Sequence, residues 1–145
     1  MRVYLAGPVD PALLEECLRW RIEAVASMSA LGMDGINPCR GGQHPAARDD
    51  GRITELPVDA AHLVSRDKAD IRSCQAMLVY WPAGSDKRGI GTIMEIALAG
   101  QWSIPVLLVD PGRAISDHPW VEVHAADHHA SVGAAIEALA TYWHS

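Results

Sequence analysis

The chain has 145 residues, of which 49% are hydrophobic, a size and apolar content typical of one globular domain with its own core. Its 18 acidic and 12 basic residues give a formal net charge of −6, which disfavours binding of a nucleic-acid polymer and favours a small ligand. Because no apolar run reaches about 18 residues and no signal region opens the chain, we expect neither a membrane span nor secretion.

Strands and helices are predicted to alternate along the first half of the sequence. Residues 3–6 form a short apolar run that ends at a Gly-Pro pair, which predicts a strand and then a turn. A helix is predicted next from apolar residues at helical spacing, namely Leu13, Leu14, Cys17, Leu18, Ile22 and Val25. Residues 35–38 are predicted to close a second short strand. Residues 39–58 are rich in Gly, Pro, Arg and Asp, and we interpret them as a long loop that acts as a lid over a site.

The second half continues the same alternation. Helical spacing returns at residues 59–73, and apolar strands are predicted at 77–81 and 104–109 on either side of a helix at 91–101. Residues 121–124 are predicted to form the last strand, before a helix at 130–143. Nearly all-apolar strands that alternate with helices indicate a parallel sheet covered on both faces. We therefore predict an α/β three-layer, flavodoxin-like sandwich with a five-stranded parallel sheet, formed by one domain over residues 1–145.

In such a sheet, ligands bind beyond the carboxyl ends of the strands. The loops that follow residues 6, 36, 81 and 109 should therefore converge on the site. These loops make Gly7, Pro8 and Asn37 candidate substrate contacts, and Arg40 a candidate contact for a substrate phosphate.

Glu95 is the only charged residue between Arg88 and Asp110, and it lies in the otherwise apolar segment 91–99 (GTIMEIALA). A helix of this composition is predicted to be buried, and a buried carboxylate needs hydrogen-bond donors or a cation. A position in the first turn of the helix would favour the ionised form, which suits a nucleophile. A structural Glu near a helix N-terminus explains this residue alone equally well.

The turn before this helix contains Gly89, Gly91 and Thr92, and its glycines let a ligand approach backbone N–H groups closely. Lys87 and Arg88 stand just before the turn and are candidates to contact a phosphate. A solvated basic pair is the alternative interpretation.

A second candidate carboxylate is Asp67, which lies four residues from both Leu63 and Ile71 and therefore on the apolar stripe of its helix. Asp70 is one step off that stripe and is expected to be exposed. Two inward carboxylates suit glycosyl transfer, in which one attacks the anomeric carbon while the other handles the leaving base or orients the sugar. A buried phenol at Tyr4 needs a hydrogen-bond partner, either such a carboxylate or a backbone group.

Several other kinds of site lack their motifs in this sequence. The seven histidines show no HExxH spacing and the three cysteines form no CxxC pair, so we predict no metal and reduced thiols in the cytoplasm. GxSxG, GxxxxGK[ST] and GxGxxG are all absent, and we predict no cofactor.

Three segments in this order resemble the nucleoside 2-deoxyribosyltransferase family: residues 3–8 (VYLAGP), 66–73 (RDKADIRS) and 91–99 (GTIMEIALA). The similarity spans roughly residues 2–109. It implies that Glu95 is the nucleophile of a covalent glycosyl intermediate, that Asp67 is the active-site Asp of the preceding helix, and that Tyr4 positions the nucleophile. It also implies the same three-layer fold, a small nucleoside or nucleotide substrate, and a homodimer or larger homo-oligomer.

Departures from the family pattern leave the reaction open. The Asp that contacts the base in some transferases aligns with Gly89 or falls within residues 86–88, and the C-terminal Asn that some lend to a neighbouring subunit has no counterpart in residues 120–129. The leading prediction is transfer of the sugar to a second base. Relatives with the same nucleophile instead hydrolyse nucleoside 5′-monophosphates, a substrate that Arg40, Lys87 and Arg88 would suit. A non-catalytic nucleotide-binding sensor on the same fold is the third interpretation, although two buried carboxylates argue against it.

Overall fold

The fold is an α/β sandwich, seen in a computed structural model that describes residues 1–42, 46–47, 53–55, 59–85, 89–125 and 127–144. The strands are β1 (Arg2–Ala6), β2 (Asp34–Ile36), β3 (Ala46–Ala47), β4 (Ile53–Glu55), β5 (Ala76–Tyr80), β6 (Val106–Val109) and β7 (Asp127–His128). The helices are α1 (Leu14–Ala30), α2 (Ala60–Arg72), α3 (Ile90–Gln101), α4 (Pro119–His124) and α5 (Val132–His144). None of these described helices is long and apolar enough to cross a membrane.

The main sheet contains five parallel strands in the order β2, β1, β5, β6, β7, as predicted. Tyr4 of β1 pairs with Ile36 of β2 and Met77 of β5, and Tyr80 at the end of β5 pairs with Val109. The carboxyl ends of the inner strands therefore lie along one edge. Within the segment predicted to be a loop, β3 and β4 form a separate antiparallel pair, which corrects that part of the prediction.

Successive strand residues point to opposite sides of the main sheet, and both sides are apolar. Helices therefore cover both faces. Val3 and Leu78 belong to the core that includes residues of α1 and α5. Tyr4, Met77 and Val79 belong to the core that includes residues of α2, α3 and α4. This two-sided burial explains why the strands read as continuous apolar runs.

The buried face of α1 differs from the predicted stripe. Ile22 is 64% exposed and Leu14 is 39% exposed, although the spacing predicts both on the core-facing stripe. The buried residues of this helix are Cys17, Trp20, Arg21, Ala24 and Met28. The predicted phase is wrong because the true stripe includes a charged residue, Arg21.

Residues 121–124 are helical, so the predicted last strand is wrong. The side chain of His118 accepts a hydrogen bond from the backbone of Trp120, and Pro119 occupies the first turn, which together start α4. The alternation of Val121 and Val123 imitates a strand, but the first is 2% and the second 77% exposed on a helix. The fifth strand of the sheet is β7, which pairs with β6.

Candidate active site

Tyr4 from β1 and Glu95 from α3 form the centre of the candidate site. Tyr4 is 0% exposed and lies on the sheet face that α2 and α3 cover. The Tyr4 hydroxyl and Oε2 of Glu95 are both buried, and neither has a partner of full hydrogen-bond geometry among the described residues. The Tyr4 phenol nevertheless lowers the pKa of the Glu95 carboxyl, as a neighbouring hydrogen-bond donor does. The site therefore contains two enclosed polar groups that the rest of the described chain does not satisfy.

The Glu95 carboxyl ionises less readily in this environment than it would in water. Burial raises its pKa to about 7, the negative charge of Asp67 acts in the same direction, and the Tyr4 phenol and the Arg21 guanidinium lower it. Because α3 begins at Ile90, Glu95 lies in the second turn, and the expected stabilisation by a first-turn position is wrong. Near neutral pH the group is thus divided between its acid and its anion.

The carboxylate of Asp67, on α2, is hydrogen-bonded by the preceding residue, Arg66. Its Oδ1 accepts hydrogen bonds from Nε of Arg66 at 3.1 Å and from Nη2 at 2.9 Å. Burial raises the pKa of Asp67, and the Arg66 guanidinium opposes that rise. The charge of Asp67 acts on both Glu95 and Tyr4, so the three side chains form one electrostatic cluster.

Asp70 is expected to be exposed, but Arg40 covers its side chain. The Asp70 side chain is 16% exposed, and its Oδ2 lies 2.7 Å from Nη2 of Arg40. Arg40 also donates to the carbonyl of Asn37 through Nη1 at 3.0 Å, and the Asn37 side chain accepts a hydrogen bond from the backbone of Cys39. The turn after β2 is therefore held against α2.

Gly7 and Pro8 form the turn after β1, at the carboxyl edge of the sheet. A Cβ on Gly7 would lie 2.4 Å from the carbonyl oxygen of Tyr80, so this close approach requires glycine. Arg21, which is 1% exposed, donates to the Leu5 carbonyl at 3.3 Å and to the Gly7 carbonyl at 2.7 Å. The buried guanidinium thus fixes the path of the chain as it leaves β1.

The start of α3 is packed on an indole ring. Gly89 is the N-cap, with a left-handed φ of 50°, and a Cβ there would lie 2.2 Å from the Trp81 ring. Thr92 is 3% exposed, and its contact with a substrate stays a prediction. A Cβ on Gly91 would lie 3.9 Å from Oε1 of Glu95, which places Gly91 beside the candidate nucleophile.

Some predicted contacts lie outside the described residues. These are Lys87 and Arg88, whose proposed contact with a phosphate stays a prediction. Most of the predicted lid over residues 39–58 also lies outside them, apart from the 3₁₀ turn at Arg40–Gly42 and the strands β3 and β4.

Sequence reasoning assigns no role to Arg66 or Cys39 and considers Arg21 only as an alternative phosphate contact, yet all three act on the cluster. Arg66 stands next to Asp67 in the quoted motif, yet adjacent helical residues ordinarily point apart. The Cys39 thiol is free and interacts electrostatically with Glu95 and Asp67, and no spacing in the sequence indicates this.

A groove of about 650 Å³ lies on the other side of the sheet, where Trp20, Tyr80 and Ile136 are among its lining residues. Glu95 and Asp67 do not line it. Among the described residues, no group of His, Cys, Asp and Glu is arranged to hold a metal ion. The candidate site is therefore defined by its carboxyl cluster and not by cavity volume.

Comparison with known proteins supports the fold. No protein-family model and no curated protein matches the sequence. A 2-deoxyribosyltransferase from Bacillus psychrosaccharolyticus matches with a TM-score of 0.67 and 16% identity, over 92% of this chain and 88% of that one. A CMP N-glycosidase from Clostridium botulinum matches with a TM-score of 0.60 and 16% identity, over 98% and 99%. A 2-deoxyribosyltransferase from Leishmania mexicana matches with a TM-score of 0.54 and 19% identity, over 76% and 64%.

The chain therefore has the fold shared by these nucleoside 2-deoxyribosyltransferases and the CMP N-glycosidase. The flavodoxin-like class predicted from the sequence is confirmed, and the family resemblance carried by residues 3–8, 66–73 and 91–99 is confirmed at the level of the fold.

Proposed function

We propose that the protein cleaves the N-glycosidic bond of a nucleoside or nucleoside 5′-monophosphate, with Glu95 as the nucleophile that captures the sugar. The observation that supports this proposal is the enclosed Glu95 carboxyl beside Tyr4, within the field of Asp67. Three elements contribute one polar group each to this cluster. An enclosed carboxyl with a strongly raised pKa is costly for a fold and is a common feature of active sites.

In the first half-reaction, the Glu95 carboxylate attacks the anomeric carbon while the bond from that carbon to the base nitrogen breaks. The bonding electrons leave with the base, which takes up a proton. Positive charge develops on the sugar, and the negative charges of Glu95 and Asp67 stabilise it. The Tyr4 phenol, which favours the ionised form of Glu95, has the role of orienting the attacking carboxylate.

In the second half-reaction, a nitrogen of another base attacks the anomeric carbon and loses its proton. The ester bond to Glu95 breaks, and the carboxylate is regenerated. Asp67 exchanges the proton with the base or binds a sugar hydroxyl. If water takes the place of the second base, the same steps release the free sugar from a nucleoside and the sugar phosphate from a 5′-monophosphate.

Transfer is the leading form of the reaction, and hydrolysis of a 5′-monophosphate is the second. Hydrolysis is kept as the second form because of the likeness to the CMP N-glycosidase, which extends over 98% of this chain and 99% of that one. Incubation with nucleosides and with 5′-monophosphates, each with and without a second base, separates the two when the products are resolved by mass. Binding of a nucleotide without any product contradicts both forms and supports the sensor interpretation.

The role of Glu95 is tested by Glu95→Gln, which keeps the size of the side chain but removes the nucleophile. We expect no measurable turnover and an unchanged circular dichroism spectrum, while the exposed-residue control Glu122→Gln retains activity. In the wild type, rapid quenching and proteolysis should give a glycosylated peptide that contains Glu95. Turnover by Glu95→Gln near the wild-type rate would exclude the covalent mechanism.

A further inference from the structure

Arg66 joins two parts of the candidate site through one guanidinium. Its Nε and Nη2 donate to Oδ1 of Asp67 at 3.1 and 2.9 Å, and Nη2 also donates to the carbonyl of Pro38 at 2.6 Å. The Arg66 side chain is 17% exposed. Residues i and i+1 of a helix do not ordinarily face each other, so the guanidinium must turn towards its neighbour to make this contact.

Arg40 makes a parallel link in the opposite direction along the chain. It lies on the turn after β2 and donates to Oδ2 of Asp70 at 2.7 Å and to the carbonyl of Asn37 at 3.0 Å. Each arginine thus connects a carboxylate of α2 with a carbonyl of the same turn. The two links differ in their carboxylates, because Asp67 acts directly on Glu95 whereas Asp70 acts on Asp67.

Burial and the neighbouring Asp70 both disfavour the anionic form of Asp67, and a nearby cation offsets them. The groups that interact with Asp67 electrostatically are Glu95 on α3, Tyr4 on β1, Cys39 on the turn, Asp70 and Arg66 on α2, and Arg40. Nε and Nη2 of Arg66 both donate to Oδ1 of Asp67, and Oδ2 of Asp67 accepts no hydrogen bond within the described part of the chain. One carboxylate oxygen is therefore restrained while the other remains available to a ligand.

We propose that Arg66 is a positioning residue of this site, which restrains Asp67 through Oδ1 and directs Oδ2 to the substrate. The assignment rests on the proposed function, in which Asp67 meets the sugar or the leaving base. A planar guanidinium can serve Oδ1 and the Pro38 carbonyl together, whereas a lysine ammonium is a compact charge without this fixed fork.

The contact is tested first without substrate. In Arg66→Gln the Asp67 carboxyl loses its cationic donor, so its pKa is expected to move upward. The titration is read from the side-chain carboxyl ¹³C shift, assigned by its absence in Asp67→Asn. Arg72→Gln is the matched control, since it removes the same charge from α2 at a residue that stacks over the Trp102 ring at 4.6 Å. An unchanged Asp67 titration in Arg66→Gln, or an equal shift in the control, overturns the proposal.

The positioning role is tested by kinetics on the full-length enzyme. Loss of a charge-assisted hydrogen bond in Arg66→Gln should lower kcat/KM about tenfold to a hundredfold. The limb of the pH profile that disappears in Asp67→Asn, as distinct from the acid limb set by Glu95, should move upward. Arg66→Lys should recover only part of the loss. A purely structural clamp would instead give equal losses and unmoved profiles in Arg66→Gln and Arg40→Gln, and that result overturns the proposal. A wild type that acts on no nucleoside or nucleotide contradicts the proposed function, and the carboxyl titration then decides the role of Arg66 by itself.

Discussion

At the residue scale, the Glu95 carboxyl is subject to two opposing influences. Burial raises its pKa to about 7, and the Tyr4 phenol acts against that rise as a donor to the anion. A nucleophile must be ionised, so the proposed reaction should become faster as the pH rises through about 7. The same value keeps the neutral form accessible, which reduces the cost of leaving this group in an enclosed site.

Tyr4→Phe tests this balance. Removing the phenol donor raises the pKa of Glu95 further, so a smaller fraction of the enzyme is ionised at pH values around neutrality. We expect kcat/KM of the variant to fall at neutral pH and its acid limb to move upward, with recovery in alkaline buffer. Tyr80→Phe is the matched control, because the Tyr80 phenol donates to Glu16 at 2.7 Å outside the candidate site. An acid limb that stays in place in Tyr4→Phe would contradict the contact.

Asp67 and Asp70 should respond differently to the same substitution. Asp67→Asn removes the second charge of the cluster, and we expect turnover to fall about 10² to 10⁴-fold, the usual range for a general acid or base. Asp70→Asn breaks a partly exposed ion pair with Arg40, so it should lower the free energy of unfolding by about 1 kcal/mol or less. Turnover numbers and urea unfolding curves of both variants separate the two effects. Equal and small losses of turnover would refute the role of Asp67.

Part of the site is predictable from single residues and part is not. Glu95 and Asp67 stand out in the sequence because a charged side chain within an apolar helical pattern is costly to bury unless it has a partner or a function. The protonation of Glu95 cannot be found in this way, since it depends on where α3 begins and on burial by other elements. The contact of Arg66 with Asp67 depends on a side-chain conformation that residue spacing does not encode.

At the element scale, the inner strands are predictable and the short elements are not. The expected strands at residues 3–6 and 77–81 lie within one residue of β1 and β5 because both strands are buried on two faces. β7 contains only Asp127 and His128, both exposed, and its pairing with β6 is imposed by tertiary structure. The phase of α1 is missed because a buried Arg21 satisfies its donors with backbone carbonyls that no local pattern reveals.

The start of α3 gives a test at this scale. Gly89 and Gly84 both have positive φ, 50° and 85°, but a Cβ would lie 2.2 Å from the Trp81 ring at Gly89 and meet nothing within 4 Å at Gly84. Gly84→Ala should therefore cost only the left-handed backbone strain, about 1 kcal/mol. Gly89→Ala adds a clash and should cost about 1–3 kcal/mol more. Urea unfolding measures both. Equal losses of stability would show that the indole moves aside freely.

At the scale of the whole molecule, α3 presents apolar side chains that its own chain does not cover. The apolar composition of residues 91–99 predicts a buried helix, yet Met94 is 62% exposed and Ile90, at the start of α3, is 59% exposed. These two residues are four positions apart and lie on one face of the helix that carries Glu95. A second copy of the chain that packed there would bury them, and we propose the exposed face of α3 as the contact surface of the expected homo-oligomer.

Ile90→Lys tests that assignment, with Ile22→Lys as its matched control. Both replace an exposed isoleucine, 59% exposed on α3 and 64% exposed on α1, so they change charge and hydrophobicity alike on opposite faces of the sheet. A charge in an apolar interface core is costly, and we expect Ile90→Lys to be a 15.6 kDa monomer by light scattering while the control keeps the wild-type mass. A monomeric wild type, or dissociation of both variants, would contradict the assignment. Because α3 also carries Glu95, an interface there predicts that the specific activity of the wild type falls on dilution at the same concentration at which its mass falls.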